Sequence, residues 1–332
     1  MRVLHVFGAD VPPGIVERAG RVARGLPRTL RHTIDNETLL PIFDVPGATG
    51  LREALPLHGK ASLSRYTRIA TMVADADLIL TYGPDTLDVM VARRIFGRKM
   101  PPLVHHETSD ARRSGYDRLV RWLVIPAAAT VIDSDLIEDG VDLKAFAPGK
   151  PGAALAGLER HRGDFVIGCI SPLRSGLGLA ALVRAVAVIP NAKLAVVGGG
   201  PDANALAGEA RRAGLGSRLV LPGRVRDTAR ALRQFDLLAV PSGGIDRFTL
   251  IEAMATGLPV VAPAGTELPA ENPRYAGADE LRDHLLRLAG NRDLRMRIGE
   301  ANRAAAISGH DATRMIAAFR DIYAAAALID IR

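Results

Sequence analysis

One cysteine in 332 residues, Cys169, excludes an internal disulfide and fits a reducing compartment. It sits in the apolar run FVIGCI, where a buried strand position is expected rather than a reactive thiol. Aromatic residues make up only 4% of the chain, so its cores must be built from Ala, Val, Leu and Ile. No apolar run approaches the roughly 20 residues that a membrane span needs. The N-terminal MRVLHVFGAD is too short in its apolar stretch for a signal peptide. Low-complexity tracts and long blocks of one charge are also missing, which argues against disorder. Together these absences read as a cytoplasmic globular protein.

What is present is ordinary in bulk: 48% hydrophobic and 24% charged residues, enough to bury sizeable cores. The length is large for one compact domain and favours two. A formal net charge of +7 favours anionic partners such as nucleotides and phosphates. Charge alone gives no reason to add nucleic acid to them. The cations are dispersed except in ARRIFGRK (Arg93, Arg94, Arg98, Lys99) and ARRSGYDRLVRWLV (Arg112, Arg113, Arg118, Arg121). The second stretch sets cations beside Leu119, Trp122 and Leu123 at helical spacing. It reads as a solvated helix face packed on a core or as a peripheral contact with an anionic membrane.

Short apolar runs alternate with longer amphipathic segments. RVLHVF is followed by the loop GADVPPG and a helical pattern through IVERAGRVARGL. ADLIL, PLVHH and ATVID follow as further strands. Near residue 165 the alternation restarts with FVIGCI, KLAVV, RLVLPG, DLLAV and LPVVAP, each followed by a helical or breaker segment. Apolar strands alternating with helices mean parallel sheets covered on both faces, the doubly wound α/β class. Pro148, Gly149, Pro151 and Gly152 interrupt both periods. They place a boundary near residue 150, between Rossmann-like domains 1–150 and 151–314. Ligands of such folds bind beyond the carboxyl ends of the strands.

Four loops in the second half then carry the interest: SPLRSGLG with Arg174, GGGP with Gly199 and Gly200, the turn at Gly223 and Arg224, and PSGGIDRF with Ser242. Glycine turns that enter helices make anion sites, because free N–H groups and the helix dipole converge there. GGGP does not match a G-x-G-x-x-G dinucleotide fingerprint. TLIE has the S/T-x-x-E form of a capping box, with Thr249 as cap, Glu252 returning to it and Gly257 as the stop. That reading needs no ligand.

The ordered set GGGP, LPGRV, FDLLAVPS and EAMATGLPVVA nevertheless resembles the C-terminal domain of the family 4 glycosyltransferases, well over roughly residues 160–265. The resemblance extends more loosely to the first half through MRVLHVFG, LVHHE and DGVDLKAF. It implies the GT-B fold, two Rossmann-like domains facing across a cleft, with residues 315–332 forming a terminal helix that crosses back to the first. It also implies retaining transfer of a hexose from a UDP- or GDP-linked donor to a glycan or lipid-linked acceptor, without metal or other cofactor. Bacterial relatives of this kind build surface polysaccharides and glycolipids.

Residue by residue, Glu252 matches the ribose-binding second glutamate of the family's E-x7-E element, and Ser242, Thr249 and Leu250 flank it in the donor site. Strict spacing would put the first glutamate at Gly244. Asp246 is the nearby carboxylate, a shortened stand-in beside a short deletion between Phe248 and Thr249. The family's phosphate-binding arginine falls at Cys169 or Ile170, and Arg174 lies near its lysine. His106 is the better match to a histidine near the donor sugar. Neighbouring His105 must point to the opposite face. Gly14 is what remains of the glycine-rich first loop, near donor and acceptor. Catalysis therefore falls to His106, Asp246 and Arg174. The altered positions leave open a catalytically weakened relative that binds or scaffolds. A nucleotide-sugar epimerase of similar shape is a third reading.

Overall fold

A computed structural model describes residues 1–9, 11–57, 59–107, 130–133 and 137–327. The basic stretch around Arg112–Arg121 and Trp122 lies outside these described residues. The chain forms two units, Met1–Asp139 with Thr313–Arg332, and Gly140–Ala312.

In the first unit, strands β1 (Arg2–Val6), β2 (Arg31–Ile34), β3 (Thr49–Gly50), β4 (Leu78–Tyr82), β5 (Leu103–Glu107) and β6 (Thr130–Asp133) form one sheet in the order β3-β2-β1-β4-β5-β6. Every pairing in it is parallel. Parallel strands need crossovers, which helices α1 (Pro13–Gly25), α2 (Leu40–Phe43), α3 (Leu63–Val73) and α4 (Leu87–Phe96) provide. With helices on both faces, each residue of LILTY in β4 is buried.

The second unit repeats the design with β7 (Phe165–Ile170), α5 (Leu179–Ala187), β8 (Ala192–Val197), α6 (Ala203–Arg212), β9 (Leu219–Gly223), α7 (Thr228–Leu232), β10 (Leu237–Ala239), α8 (Arg247–Ala255), β11 (Val260–Pro263) and β12 (Arg274–Tyr275). Helices α9 (Ala278–Gly290) and α10 (Arg292–Gly309) complete it, and α11 (Ala312–Ala327) ends the described chain. The sheet order is β12-β11-β10-β7-β8-β9. Counted from its own first strand this is the first unit's order, 3-2-1-4-5-6, that of dinucleotide-binding α/β folds. The order reverses direction between β1 and β4 in one unit and between β7 and β10 in the other, so each unit has a switch point.

The seam expected near residue 150 falls at Gly140 instead. The Val141 N–H donates to His310 O at 3.0 Å, and the Ala312 N–H donates to Val141 O at 3.1 Å. Leu143 and Phe146 pack against the buried Phe248, Ile251 and Met254. The Pro/Gly run at 148–152 is therefore a surface loop within the second unit, not its edge. At the other end α11 places Met315, Phe319 and Tyr323 in the first unit's core, beside Phe7, Val16 and Val22.

The loop expected through Gly14 is shorter than its composition suggests. Pro13 opens α1, where a missing N–H costs nothing and φ is preset, so Gly14 lies in the first helical turn. A methyl group there would meet nothing within 4 Å. Gly14→Ala is thus expected to stabilise the chain by about 0.5–1 kcal/mol, read as an upward shift of the urea midpoint. Lost stability would mean that the segment is not helical in solution.

Candidate functional site

The second unit gathers most of the sequence-predicted residues at the switch point between β7 and β10. The loop after β7 and the loop after β10 are joined by a Gly243 N–H donating to Leu177 O at 3.1 Å. A side chain at Gly178 would lie 2.1 Å from Ser242 Oγ, so this approach requires glycine. The loop after β8 closes against the same segment. The Ser171 N–H donates to Val197 O, the Leu173 N–H to Gly199 O and the Asp202 N–H to Leu173 O, all at 3.0–3.1 Å. Gly198 has φ +152°, and a Cβ on it would sit 2.0 Å from Ser171 O. A Cβ on Gly200 would sit 2.2 Å from Leu173 O. From the turn after β9, Arg224 lies over Gly199, its Nε 3.3 Å from where a Cβ would stand. The Gly198 N–H donates to Gly223 O at 3.0 Å, linking that turn to the GGGP loop.

Among the described residues these loops leave two cations and the start of α5 without side-chain partners. Arg174 and Arg224 are exposed. Among the described residues no carboxylate or carbonyl engages either guanidinium. Helix α5 begins at Gly178 without a side-chain cap, so its first N–H groups and the positive end of its dipole are available to an anion. Of the two positions expected to match the arginine, Ile170 carries no charge and the Cys169 thiol is neutral, since burial pushes its pKa up to about 12.

Helix α8 departs from the capping box read in the sequence. Its cap is Asp246, not Thr249: Asp246 Oδ1 accepts from the Thr249 N–H at 3.0 Å, and Oδ2 accepts from the Thr249 hydroxyl. Thr249 is inside the first turn, and Glu252 lies a turn further, 3% exposed, rather than returning to a cap. An aspartate at the N-cap bonds the N3 amide better than a threonine, so the helix starts one turn earlier. The shortened stretch before it makes a tight turn in which the Gly244 N–H donates to Pro241 O at 2.8 Å with φ +86°. Such a left-handed position favours glycine, so Gly244 cannot be exchanged for the missing glutamate without strain. The stop at Gly257 is as expected. Its N–H donates to Met254 O at 2.9 Å, and that of Leu258 donates to Ala253 O at 3.1 Å, the Schellman pairing. Residues 248–255 of α8 are all buried, which places Leu250 in a hydrophobic cluster with Val240 and Val260.

A cavity of about 310 Å³ opens beside this switch point, between the loop after β7 and α6. Arg174 lines it with Ser175, Asp202, Leu206 and Arg212. The other predicted donor residues lie outside its lining.

In the first unit, Asp35 at the end of β2 accepts from the N–H groups of Phe7 and Gly8 at 3.0 and 3.2 Å, holding the start of the loop after β1. Burial pushes its pKa up, against the backbone hydrogen bonds that lower it. His105 and His106 face opposite sides of β5, as the strand period requires. His105 Nδ1 lies 2.9 Å from the Thr81 hydroxyl. His106 does not present an open ring as expected: it is 3% exposed. Its ring stacks on Tyr82 at 4.4 Å and on Phe319 at 5.5 Å, and its Nε2 lies 3.1 Å from the Tyr323 hydroxyl. Burial, with smaller effects from His105 and Arg18, lowers its pKa to about 3. The sequence pattern does not single out Asp35, Tyr82 or Tyr323. Only a carboxylate directly after a short strand, as in RHTIDN, marks Asp35.

Two parallel-sheet α/β units of this order define a GT-B fold. The chain aligns with Anabaena HepE, solved in complex with UDP, at TM-score 0.68 and 18% identity, covering 98% of this chain and 100% of that one. It aligns with a sucrose-phosphate synthase from Thermosynechococcus elongatus at TM-score 0.61 and 17% identity, covering 98% and 100%. Residues 164–291 match the family described as glycosyl transferases group 1. A D-inositol 3-phosphate glycosyltransferase of Mycobacterium sp. (strain JLS) is 34% identical over 145 residues, 41% of this chain and 33% of that protein. The match thus spans about a third of that relative's length. A phosphatidyl-myo-inositol mannosyltransferase of Mycobacterium tuberculosis (strain ATCC 25618 / H37Rv) is 29% identical over 278 residues, 78% of this chain and 70% of that protein. Among the described residues no helix is long and apolar enough to cross a membrane.

Proposed function

We propose that the protein is a retaining glycosyltransferase of family 4 that moves a hexose from a UDP- or GDP-linked donor to a glycan or lipid-linked acceptor, in the making of surface polysaccharide or glycolipid. The observation that carries this reading is the convergence at the switch point between β7 and β10. Three glycine-bearing loops pack against one another there beside Arg174, Arg224 and the uncapped start of α5. Negative charge grows on the departing diphosphate in the transition state, and preorganised donors at that place stabilise it without a metal. The match of residues 164–291 to a glycosyltransferase family covers this site, and HepE, of like fold, was solved with UDP. In this reading Glu252 holds the ribose, Asp246 and His106 attend the sugar, and Gly199, Gly200, Gly223, Ser242 and Thr249 shape the donor pocket. Exposed Arg94, Ile95, Arg98 and Lys99 at the end of α4 would suit a peripheral contact with an anionic membrane.

Thermal unfolding across UDP- and GDP-linked hexoses tests it. A donor at a hundred times its Kd should stabilise the protein by about 2.7 kcal/mol, and Glu252→Gln should remove most of that gain, measured against the variant's own ligand-free midpoint. No donor-dependent shift across the panel would sink the reading.

Two observations favour a second reading, a relative that binds donor but turns it over poorly. Both Asp246 oxygens are engaged by Thr249, and Cys169 and Ile170, the two positions that could match the family's phosphate-binding arginine, carry no charge. Donor binding without transfer or hydrolysis by pure protein would select it.

A further inference from the structure

The described C-terminal helix does more in the first unit than cover its core. Tyr323 is 2% exposed, and its hydroxyl is 3.1 Å from His106 Nε2. The rings meet edge to face at 5.8 Å. One helical turn earlier Phe319 stacks on the same imidazole, and Tyr82, its partner in the β4–β5 register, stacks at 4.4 Å. The imidazole is thus sandwiched by two rings and addressed by one hydroxyl. His106 and Tyr323 also share the wall of a narrow recess with Arg18 and Ile15. Arg18 donates to Asp139 at 2.6 Å there, a partly buried ion pair.

We propose that Tyr323 is a positioning residue for His106: its hydroxyl fixes the ring and commits Nε2. The physical basis is the asymmetry of a neutral imidazole, one nitrogen a donor and the other an acceptor, with the tautomer set by whatever bonds the committed nitrogen. Low pKa keeps the ring neutral across the physiological range, so the choice is between tautomers and not between charge states. Stacking alone would not make that choice, because a face-to-face ring contact treats both nitrogens alike. The polar environment continues behind Tyr82, whose hydroxyl lies 3.0 Å from His5 Nδ1, and His5 Nε2 lies 3.0 Å from His32 Nδ1. Its assignment as a group acting on His106 in transfer rests on the functional reading above; the tautomer itself does not.

The test uses the full chain labelled with 15N. Long-range 1H–15N spectra of wild type, Tyr323→Phe and Phe319→Leu are compared, with His106→Gln to assign the His106 signals. Wild type should show one fixed His106 tautomer from pH 5 to 8. Tyr323→Phe keeps the ring and its packing, and should give a changed or averaged tautomer. Phe319→Leu loses packing but keeps the hydroxyl, and should retain the wild-type pattern even where its melting midpoint falls. If wild type transfers sugar, Tyr323→Phe should lower kcat about 10- to 100-fold with donor KM nearly unchanged, as for a displaced reacting group. Unchanged His106 shifts in Tyr323→Phe, an equal change in Phe319→Leu, or wild-type kcat in Tyr323→Phe would each overturn the proposal. Absence of transfer by wild type together with the expected spectra would instead overturn the functional reading and leave the positioning role standing.

Discussion

Gly198→Ala should lower the melting midpoint of the second unit by roughly 6–12 °C and abolish any donor-dependent stabilisation. The two effects have one cause. At φ +152° an alanine is in a region that side-chain-bearing residues occupy only at a cost of about 1–3 kcal/mol. Its Cβ would also stand 2.0 Å from Ser171 O, a backbone atom that cannot swing aside. Relief means separating the loop after β7 from the loop after β8, which breaks the hydrogen bond from the Ser171 N–H to Val197 O at 3.0 Å. A total of about 3 kcal/mol in a unit of this size gives the stated shift. Gly223→Ala is the matched control within the same loops. Its φ of +80° brings the conformational strain, but nothing lies within 4 Å of its Cβ. It should therefore cost only about 1 kcal/mol and leave measurable donor binding. Calorimetric scans of both variants, with and without UDP-sugar, decide the matter. Equal midpoints for the two would show that the close packing of the β7 and β8 loops contributes nothing.

The strands were the most legible part of the chain, because a parallel strand covered on both faces must be a continuous apolar run, as FVIGCI and KLAVV are. The helix stop at Gly257 was equally legible, since a left-handed C′ position leaves few other residues possible. Where local chemistry had two solutions, the choice depended on neighbours distant in sequence. Both Asp246 and Thr249 can cap a helix. Aspartate takes the role because the tight turn at Gly244 delivers the chain to that point one turn earlier. The Pro/Gly run at 148–152 looks like a linker, yet Val141 and Phe146 tie the segment before it to α8 and to the chain near Asp311. His106 could be placed at the end of its strand, but not beneath Tyr323, which follows it by 217 positions. The same holds for Asp35, whose two amide partners lie on β1's exit loop. Patterns report what a residue does along the chain; the site is assembled across it.

Acid should destabilise the first unit well above the pH at which ordinary carboxylates titrate. His5, His32 and His106 are buried in one aromatic cluster with Phe7, Phe43 and Tyr82. Burial lowers the pKa of His32 to about 4 and of His106 to about 3. For His5, burial followed by the charges of His32 and His106 depresses it strongly as well. The folded unit therefore holds three neutral rings where the unfolded chain takes up protons below an ordinary histidine pKa of about 6.5. Between pH 6.5 and about 4 the unfolded state binds more protons, so stability rises with pH across that window and is lost on acidification. At pH 5 the penalty is about 2 kcal/mol for each of His32 and His106, a large share of the 5–15 kcal/mol that holds a domain together. Asp35 works in the opposite sense, since its pKa is raised and its protonation favours the folded state. That gain arrives as the pH falls through its raised value and offsets part of the histidine loss. Urea midpoints followed from pH 7.5 to 5 should fall steadily. His32→Gln, which removes one ring at the edge of the cluster, should flatten the slope relative to its own value at pH 7.5. A midpoint that does not change over this range would mean that the cluster admits protons or water, and that His106 is not the neutral, enclosed ring on which its orientation by Tyr323 depends.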